Sequence, residues 1–224
     1  MNLVDTVDQI GKSEVISMKY LGSKTLETER LILKAQTMEE QKRLWEILMI
    51  PDVNKYFLTV PTKFREKLKD WSIQEQYYIE DMKHANDEDI FRWSIFLKDT
   101  KECIGRISCH ERSKEDSSVV NPNIRGVGWL VDTKYQGNGY GTEAAQAMID
   151  YMFNECEIEE IITGAAINNP ASWSIMEKLG FERQNKNKYV QYTFLDELTE
   201  DYTYKLTRES YMKSKRTKSK KTNY

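Results

Sequence analysis

Along this chain the apolar residues change period several times, and each change marks an element. From Arg30 to Ala35 they alternate, Leu31 and Leu33 on one side and Ile32 and Lys34 on the other, which is the period of a strand. Thr37-Met38-Glu39-Glu40 then reads as a capping box, a threonine and a later glutamate placed to satisfy free amides at a helix start. The helix carries Leu44, Trp45 and Leu48 on one side, and Pro51 helps to end it. Phe64, Leu68, Trp71, Tyr78 and Met82 stand three, four or seven apart and predict one longer helix, interrupted only by the polar Glu75. Such an aromatic stripe serves as core or as the wall of a binding pocket. Phe91, Trp93, Ile95 and Leu97 alternate again, and the polar Lys98–Glu102 turns the chain into Ile104–Cys109, which makes a hairpin. After a polar stretch from Glu111 to Asn123 come a strand at Arg125–Val131, a glycine-rich segment, and a helix from Thr142 to Asn154. Ala144, Ala145, Met148, Ile149 and Met152 form the apolar face of that helix. A strand at Ile161–Ile167, a short helix, and closing strands at Tyr189–Phe194 and Thr203–Leu206 complete the order. It suits an α+β (mixed α/β) sheet with helices on both faces, not a regularly alternating doubly wound fold.

A chain of 224 residues, 39% of them hydrophobic, suffices for one domain with its own core. The pattern divides it into a lead segment over residues 1–24, a domain over 25–210 and a basic tail over 211–224. Net charge is only -3, so the composition as a whole does not describe a nucleic-acid binder. The tail differs: Lys213, Lys215, Arg216, Lys218, Lys220 and Lys221 crowd a stretch without apolar periodicity. It reads as a disordered, solvated segment, with an electrostatic contact to RNA or an acidic partner as the sharper alternative. Near Met1 the apolar residues are broken by Asp5, Asp8 and Lys12, which is no signal peptide, and nothing approaches the ~20 apolar residues of a membrane span. Cys103, Cys109 and Cys156 are odd in number and lack CxxC spacing, and the only histidines are His84 and His110. The expectation is a reduced, cytoplasmic protein without a metal and without a membrane partner.

The chemistry starts at Tyr135-Gln136-Gly137-Asn138-Gly139-Tyr140-Gly141-Thr142, between an apolar strand and an amphipathic helix. Glycines let backbone amides approach an anion closely, and those amides stand at the positive end of the helix. A nucleoside-triphosphate loop would end Gly-Lys-Ser/Thr, but Gly141 is followed by Thr142-Glu143. A dinucleotide fingerprint would need glycine where Thr142 stands, inside a run of strand–helix–strand units. Coenzyme A is the third candidate, and a plain glycine-rich turn is the bland alternative. Further on, Asn169-Pro170-Ala171-Ser172 opens the short helix, Asn169 as N-cap and Pro170 as first helical residue, while Gly180 stops it and Phe181 packs beyond. Capping alone would account for that segment.

Taken together, these segments resemble the GNAT acetyltransferases, especially the subgroup of the ribosomal-protein N-terminal acetyltransferases. Gln136-Gly137-Asn138-Gly139-Tyr140-Gly141 looks like the family's (Arg/Gln)-x-x-Gly-x-(Gly/Ala) signature, and Asn169-x-x-Ser172 with Glu177-Lys178-Leu179-Gly180-Phe181 looks like its second one. Leu26–Leu33, Ile104-Gly105 and Val127-Gly128-Trp129-Leu130 fall in register, so the resemblance runs from about Thr25 to Leu206. It implies a central, mostly antiparallel seven-stranded sheet with a splayed parallel pair of strands. It also implies acetyl-CoA as cosubstrate, with Gln136, Gly137, Asn138, Gly139, Tyr140, Gly141 and Thr142 around the pyrophosphate. The pantetheine arm would lie along Trp129, Leu130 and Val131, whose amides would polarise the thioester and stabilise the oxyanion of the tetrahedral intermediate. Asn169 and Ser172 would meet the pantetheine end, and an acceptor amine would attack directly in a ternary complex.

The family pattern fails at two places. Many relatives carry a proton-accepting glutamate where this chain has Gly126, and others a proton-donating tyrosine where it has Met176. Ser172 remains as a candidate acid, or as a helix cap. His110 and Glu111 could each reach the cleft, though adjacent strand residues point to opposite faces. Glu200 and Asp201, before the last strand, read as candidates or as solvated caps. The acceptor is expected to be a protein or peptide α-amine. A small-molecule amine such as a polyamine or an aminoglycoside-like antibiotic is the alternative, as is a CoA-binding regulatory module without catalysis. Monomer and homodimer are both open.

Overall fold

The alternating stretches become strands of one sheet and the amphipathic ones pack across it, in a computed structural model that describes residues 18–113 and 120–221. In chain order the elements are β1 (Leu26–Glu27), β2 (Leu31–Ala35), α1 (Gln41–Leu48), α2 (Pro51–Asn54), α3 (Arg65–Lys69) and α4 (Trp71–Asp81). Then come β3 (Phe91–Leu97), β4 (Cys103–Ser113), β5 (Val120–Val131), α5 (Tyr140–Asn154), β6 (Glu160–Ala166) and α6 (Pro170–Lys178). The chain continues through β7 (Glu182–Arg183), β8 (Lys188–Val190), β9 (Thr199–Thr207) and α7 (Arg208–Lys221). The sheet runs β1-β2-β3-β4-β5-β6-β9-β7, with β8 also on β9. Every pairing is antiparallel except β5–β6.

Helices cover both faces, as the element order predicts. On one face Ala144, Ala145, Met148 and Met152 of α5 are buried against Leu31, Leu33, Trp93, Ile95, Ile107 and Val127. Each large side chain so buried stabilises the fold by about 1.5–3 kcal/mol. On the other face Ile47 and Leu48 of α1 close over Leu130. Cys103, Cys109 and Cys156 are free thiols and buried.

Several expectations change. The sheet has nine strands instead of seven, because the two-residue β1 and β7 lack the length for a visible alternation. The strand expected at Tyr189–Phe194 shrinks to β8, while the one expected at Thr203–Leu206 lengthens to β9. The long helix expected through Phe64 and Met82 breaks at Asp70, whose carboxylate accepts from the Ser72 amide and starts α4 afresh. Only Tyr78 of that stripe is buried, and Phe64 is exposed. The capping box is half formed: Glu40 accepts from the Thr37 amide, but Glu40 itself stands at the N-cap of α1.

Both domain boundaries shift outward as well. Met18–Lys24 of the lead segment belong to the fold, since Met18 is buried and its amide donates to Asn123. Residues 1–17 lie outside the described part. The tail expected to be disordered continues the domain as α7. Tyr211 is buried, its ring stacks on Phe153 at 4.7 Å, and its hydroxyl donates to Asp150. Lys215 forms an ion pair with Asp150. Two apolar residues, Tyr211 and Met212, dock a helix that is otherwise polar or charged.

Candidate active site

The glycine-rich segment leaves β5 through a single 3-10 turn and is held by its own side chains. The Gln136 amide donates to the Val131 carbonyl at 2.9 Å, and the Asn138 amide donates to the carbonyls of Tyr135 and Gln136. Those two side chains are therefore engaged in shaping the loop, and its backbone faces the cleft. Gly137 and Gly139 have φ of +79° and +82°, the left-handed region that favours glycine. Gly139 is the N-cap of α5 and offers no side-chain cap, so the first amides of the helix are left for a ligand.

An acid in the first turn, Glu143, would oppose an anion there if its carboxylate were turned to the cleft. Instead it accepts from the Thr28 hydroxyl at 2.5 Å and from the Arg30 amide at 2.9 Å, and the Arg30 guanidinium lies 2.6 Å away. Burial pushes this carboxyl up, but the Thr28 and Arg30 hydrogen bonds outweigh it and hold the pKa below the usual range. Arg30 also donates to the Asn138 carbonyl and lies over the Tyr140 ring at 4.6 Å. Arg30 and Glu143 thus brace the loop, a role that their distance in sequence concealed.

Below the loop the two parallel strands part. β5 and β6 pair at Ile124–Glu160 and Arg125–Ile161, after which the Thr163 hydroxyl donates to the Val127 carbonyl. From there a cleft of about 740 Å³ opens. Trp129, Leu130 and Val131 line it, with Gln136, Gly137, Gly139, Tyr140, Gly141 and Thr142 at one end and Asn169 and Ser172 along the side. The Asn169 carbonyl oxygen accepts from the Ser172 amide, and the Asn169 amide donates to the Ser172 hydroxyl oxygen at 3.2 Å. Asn169 caps α6, Ser172 stands in its first turn, and both line the cleft. Met176 is buried beneath them.

The far end of the cleft has a floor of alternate residues. Arg106, Ser108 and His110 of β4 stand opposite Leu130, Gly128 and Gly126 of β5. A Cβ placed on Gly126 would fall 2.3 Å from His110 Nε2. The imidazole therefore occupies the volume a side chain at 126 would need. Glu111 points to the opposite face, half exposed, with its carboxylate 3.8 Å from the buried Arg125. His110 lines the cleft and Glu111 does not. Glu200 and Asp201 lie within β9, not before it. Glu200 accepts from Asn187, whereas Asp201 is buried and lines the cleft.

Comparison with known proteins agrees with this geometry. A family model described as "Acetyltransferase (GNAT) domain" matches residues 30–182. The chain is 26% identical over 158 residues to YnaD of Bacillus subtilis, described as an uncharacterized N-acetyltransferase, across 70% of this chain and 82% of that protein. In fold it is similar to the ribosomal-protein-S5-alanine acetyltransferase from Vibrio fischeri, with a TM-score of 0.67 at 15% identity, over 84% of this chain and 99% of the other. It is likewise similar to the spermidine N-acetyltransferase from Vibrio cholerae, solved with CoA and spermine, with a TM-score of 0.65 at 16% identity over 83% and 99%. Among the described residues no helix is long and apolar enough to cross a membrane.

Proposed function

The chain belongs to the GNAT acetyltransferase family and is an acetyl-CoA-dependent N-acetyltransferase, and on that premise we propose that it acetylates the α-amine of a protein or peptide, with His110 as its base. The observation that carries this reading is the His110 ring in the volume above Gly126. Acetyl-CoA supplies an activated thioester. The uncapped start of α5 suits its pyrophosphate, and the cleft between the parted strands suits its pantetheine arm. Within that cleft His110 takes the proton that the ammonium must lose before its nitrogen can attack. Ser172, whose oxygen already accepts from Asn169, gives its own hydrogen to the departing sulfur and takes in its place the second proton that the nitrogen sheds as the amide forms. The acetyl group passes from sulfur to nitrogen without a covalent enzyme intermediate.

The acceptor preference follows from protonation. An α-amine with a pKa of about 7.7–8.0 is roughly a tenth to a sixth neutral at pH 7, whereas a lysine side chain near 10.4 is neutral only about once in 2,500 molecules. A site with one imidazole in place of the family's carboxylate therefore favours the more acidic ammonium. Fold similarity to a ribosomal-protein acetyltransferase is consistent with such an acceptor.

Matched short peptides test this, one with a free N-terminus and one blocked there but carrying lysine, alongside spermine as a small amine. The free N-terminus is expected to react fastest at pH 7. His110→Ala and Ser172→Ala are each expected to lower kcat by roughly 100-fold while the KM for acetyl-CoA changes little. Faster acetylation of the lysine peptide or of spermine would overturn the acceptor reading. Unchanged kcat in His110→Ala would remove the base.

A further inference from the structure

Asp201 is a carboxylate in an unusual position. Its side chain is only 7% exposed, yet it belongs to the wall of the cleft. Oδ2 accepts the Tyr192 hydroxyl at 2.6 Å. Oδ1 is buried and has no hydrogen-bond partner among the described residues. A buried carboxylate oxygen left without a donor costs on the order of 1–3 kcal/mol or more, so the arrangement calls for a second donor.

The neighbouring β6 presents Gly164, which lines the cleft and has no side chain to cover the carboxylate; a Cβ there would lie 4.0 Å from Oδ2. On the other side Tyr192 is itself buried and its ring meets Tyr56 edge-on at 5.6 Å. The aromatic pair fixes the tyrosine hydroxyl, which in turn fixes the carboxylate with Oδ1 free. Asp201 shares its face of the sheet with Gly164, through the register Gly164–Thr203 and Ala166–Asp201, and with the floor that carries His110. Burial raises its pKa in spite of the Tyr192 bond, and a cation arriving at Oδ1 would favour the charged form again.

We propose that Asp201, clamped by Tyr192, is the recognition group for the acceptor, its Oδ1 receiving an N–H of a cationic amine at the end of the cleft remote from the glycine loop. The assignment deepens the acetyl-transfer reading by naming a charge requirement: the acceptor enters as an ammonium and meets a carboxylate before the imidazole relieves it of a proton. Asp201 binds and orients, and the proton transfer belongs to His110.

The test is binding, not turnover, so that its outcome stands apart from the acetyl-transfer reading. The CoA complex is titrated by calorimetry with a trialanine amide bearing a free N-terminus and with its N-acetylated form. Wild type is expected to bind the free form at least tenfold more tightly. Asp201→Asn keeps an acceptor for the Tyr192 hydroxyl but loses the charge, and is expected to bring the two peptides within about twofold while CoA affinity stays the same. Tyr192→Phe releases the clamp and is expected to reduce the discrimination several-fold, which reads the same point should Asp201→Asn not fold. Equal binding of the two peptides by wild type, or full discrimination retained in Asp201→Asn, would overturn the proposal. Absence of acetylated peptide when acetyl-CoA is supplied to wild type would instead count against the acetyl-transfer reading.

Discussion

Three glycines around the cleft are required for three different physical reasons. Gly139 needs its left-handed φ of +82°, which a β-branched residue rarely adopts. Gly141 is tightly packed, since a Cβ would approach Ile175 Cδ1 at 3.2 Å where α5 meets α6 and a branched side chain would need more room still. Gly126 gives up its volume to the ring of His110. Gly139→Val and Gly141→Val are each expected to weaken CoA at least tenfold in calorimetric titration of the folded variants, because both disturb the start of α5. Gly126→Ala is expected to push the exposed His110 ring aside at small cost in stability and without changing CoA affinity. Thermal melts and the same titration separate the two effects. Of these roles, the one in the glycine loop is legible in sequence because it is local to a dozen residues. The meeting of His110 and Gly126 is not, because it depends on a cross-strand register sixteen residues apart. The burial of Asp201 was equally hidden, since it turns on where β9 begins.

Among the elements, α5 and β3 stand close to where the apolar pattern places them, whereas β4 and β5 run on into the polar stretch read as a connection, β4 to Ser113 and β5 from Val120. The failures share a cause, which is a local signal outweighed by one or two contacts. At Asp70 a single capping carboxylate divides an apolar stripe into α3 and α4. In α7 a single aromatic outweighs a run of lysines, because the stack of Tyr211 on Phe153 and its bond to Asp150 tie the helix to α5. Tyr211→Ala is therefore expected to destabilise the protein by about 3–5 kcal/mol, the range for losing a buried aromatic. Ending the chain after Arg216 is expected to cost far less, since it keeps Tyr211 and the Lys215–Asp150 ion pair and Thr217, the first residue removed, is exposed. Denaturant melts of the two variants make the comparison, and equal stability of Tyr211→Ala and wild type would show that α7 is dispensable.

The whole molecule is a sheet in two blocks, β1 to β5 and β6 to β9, whose ladders meet at only two residue pairs before the strands part. A ligand reaching from the start of α5 to the start of α6 would tie those blocks together. CoA at 100 times its Kd should add about 2.7 kcal/mol, which for a chain of this size raises Tm by roughly 5–10 °C. A scan with and without CoA checks it. The same architecture has a consequence for the three thiols sealed inside it. Burial pushes Cys103, Cys109 and Cys156 up to about 11, 12 and 11, so almost none of any of them is thiolate at neutral pH. Alkylation has to wait until the protein opens, and the modification rate becomes a clock for that opening. Two of the clock's hands sit on β4 and the third just beyond α5. Intact-mass spectra taken during labelling would show either untouched and triply modified chains alone, if the blocks open together, or intermediate masses, if one opens first. CoA is expected to slow every hand of the clock.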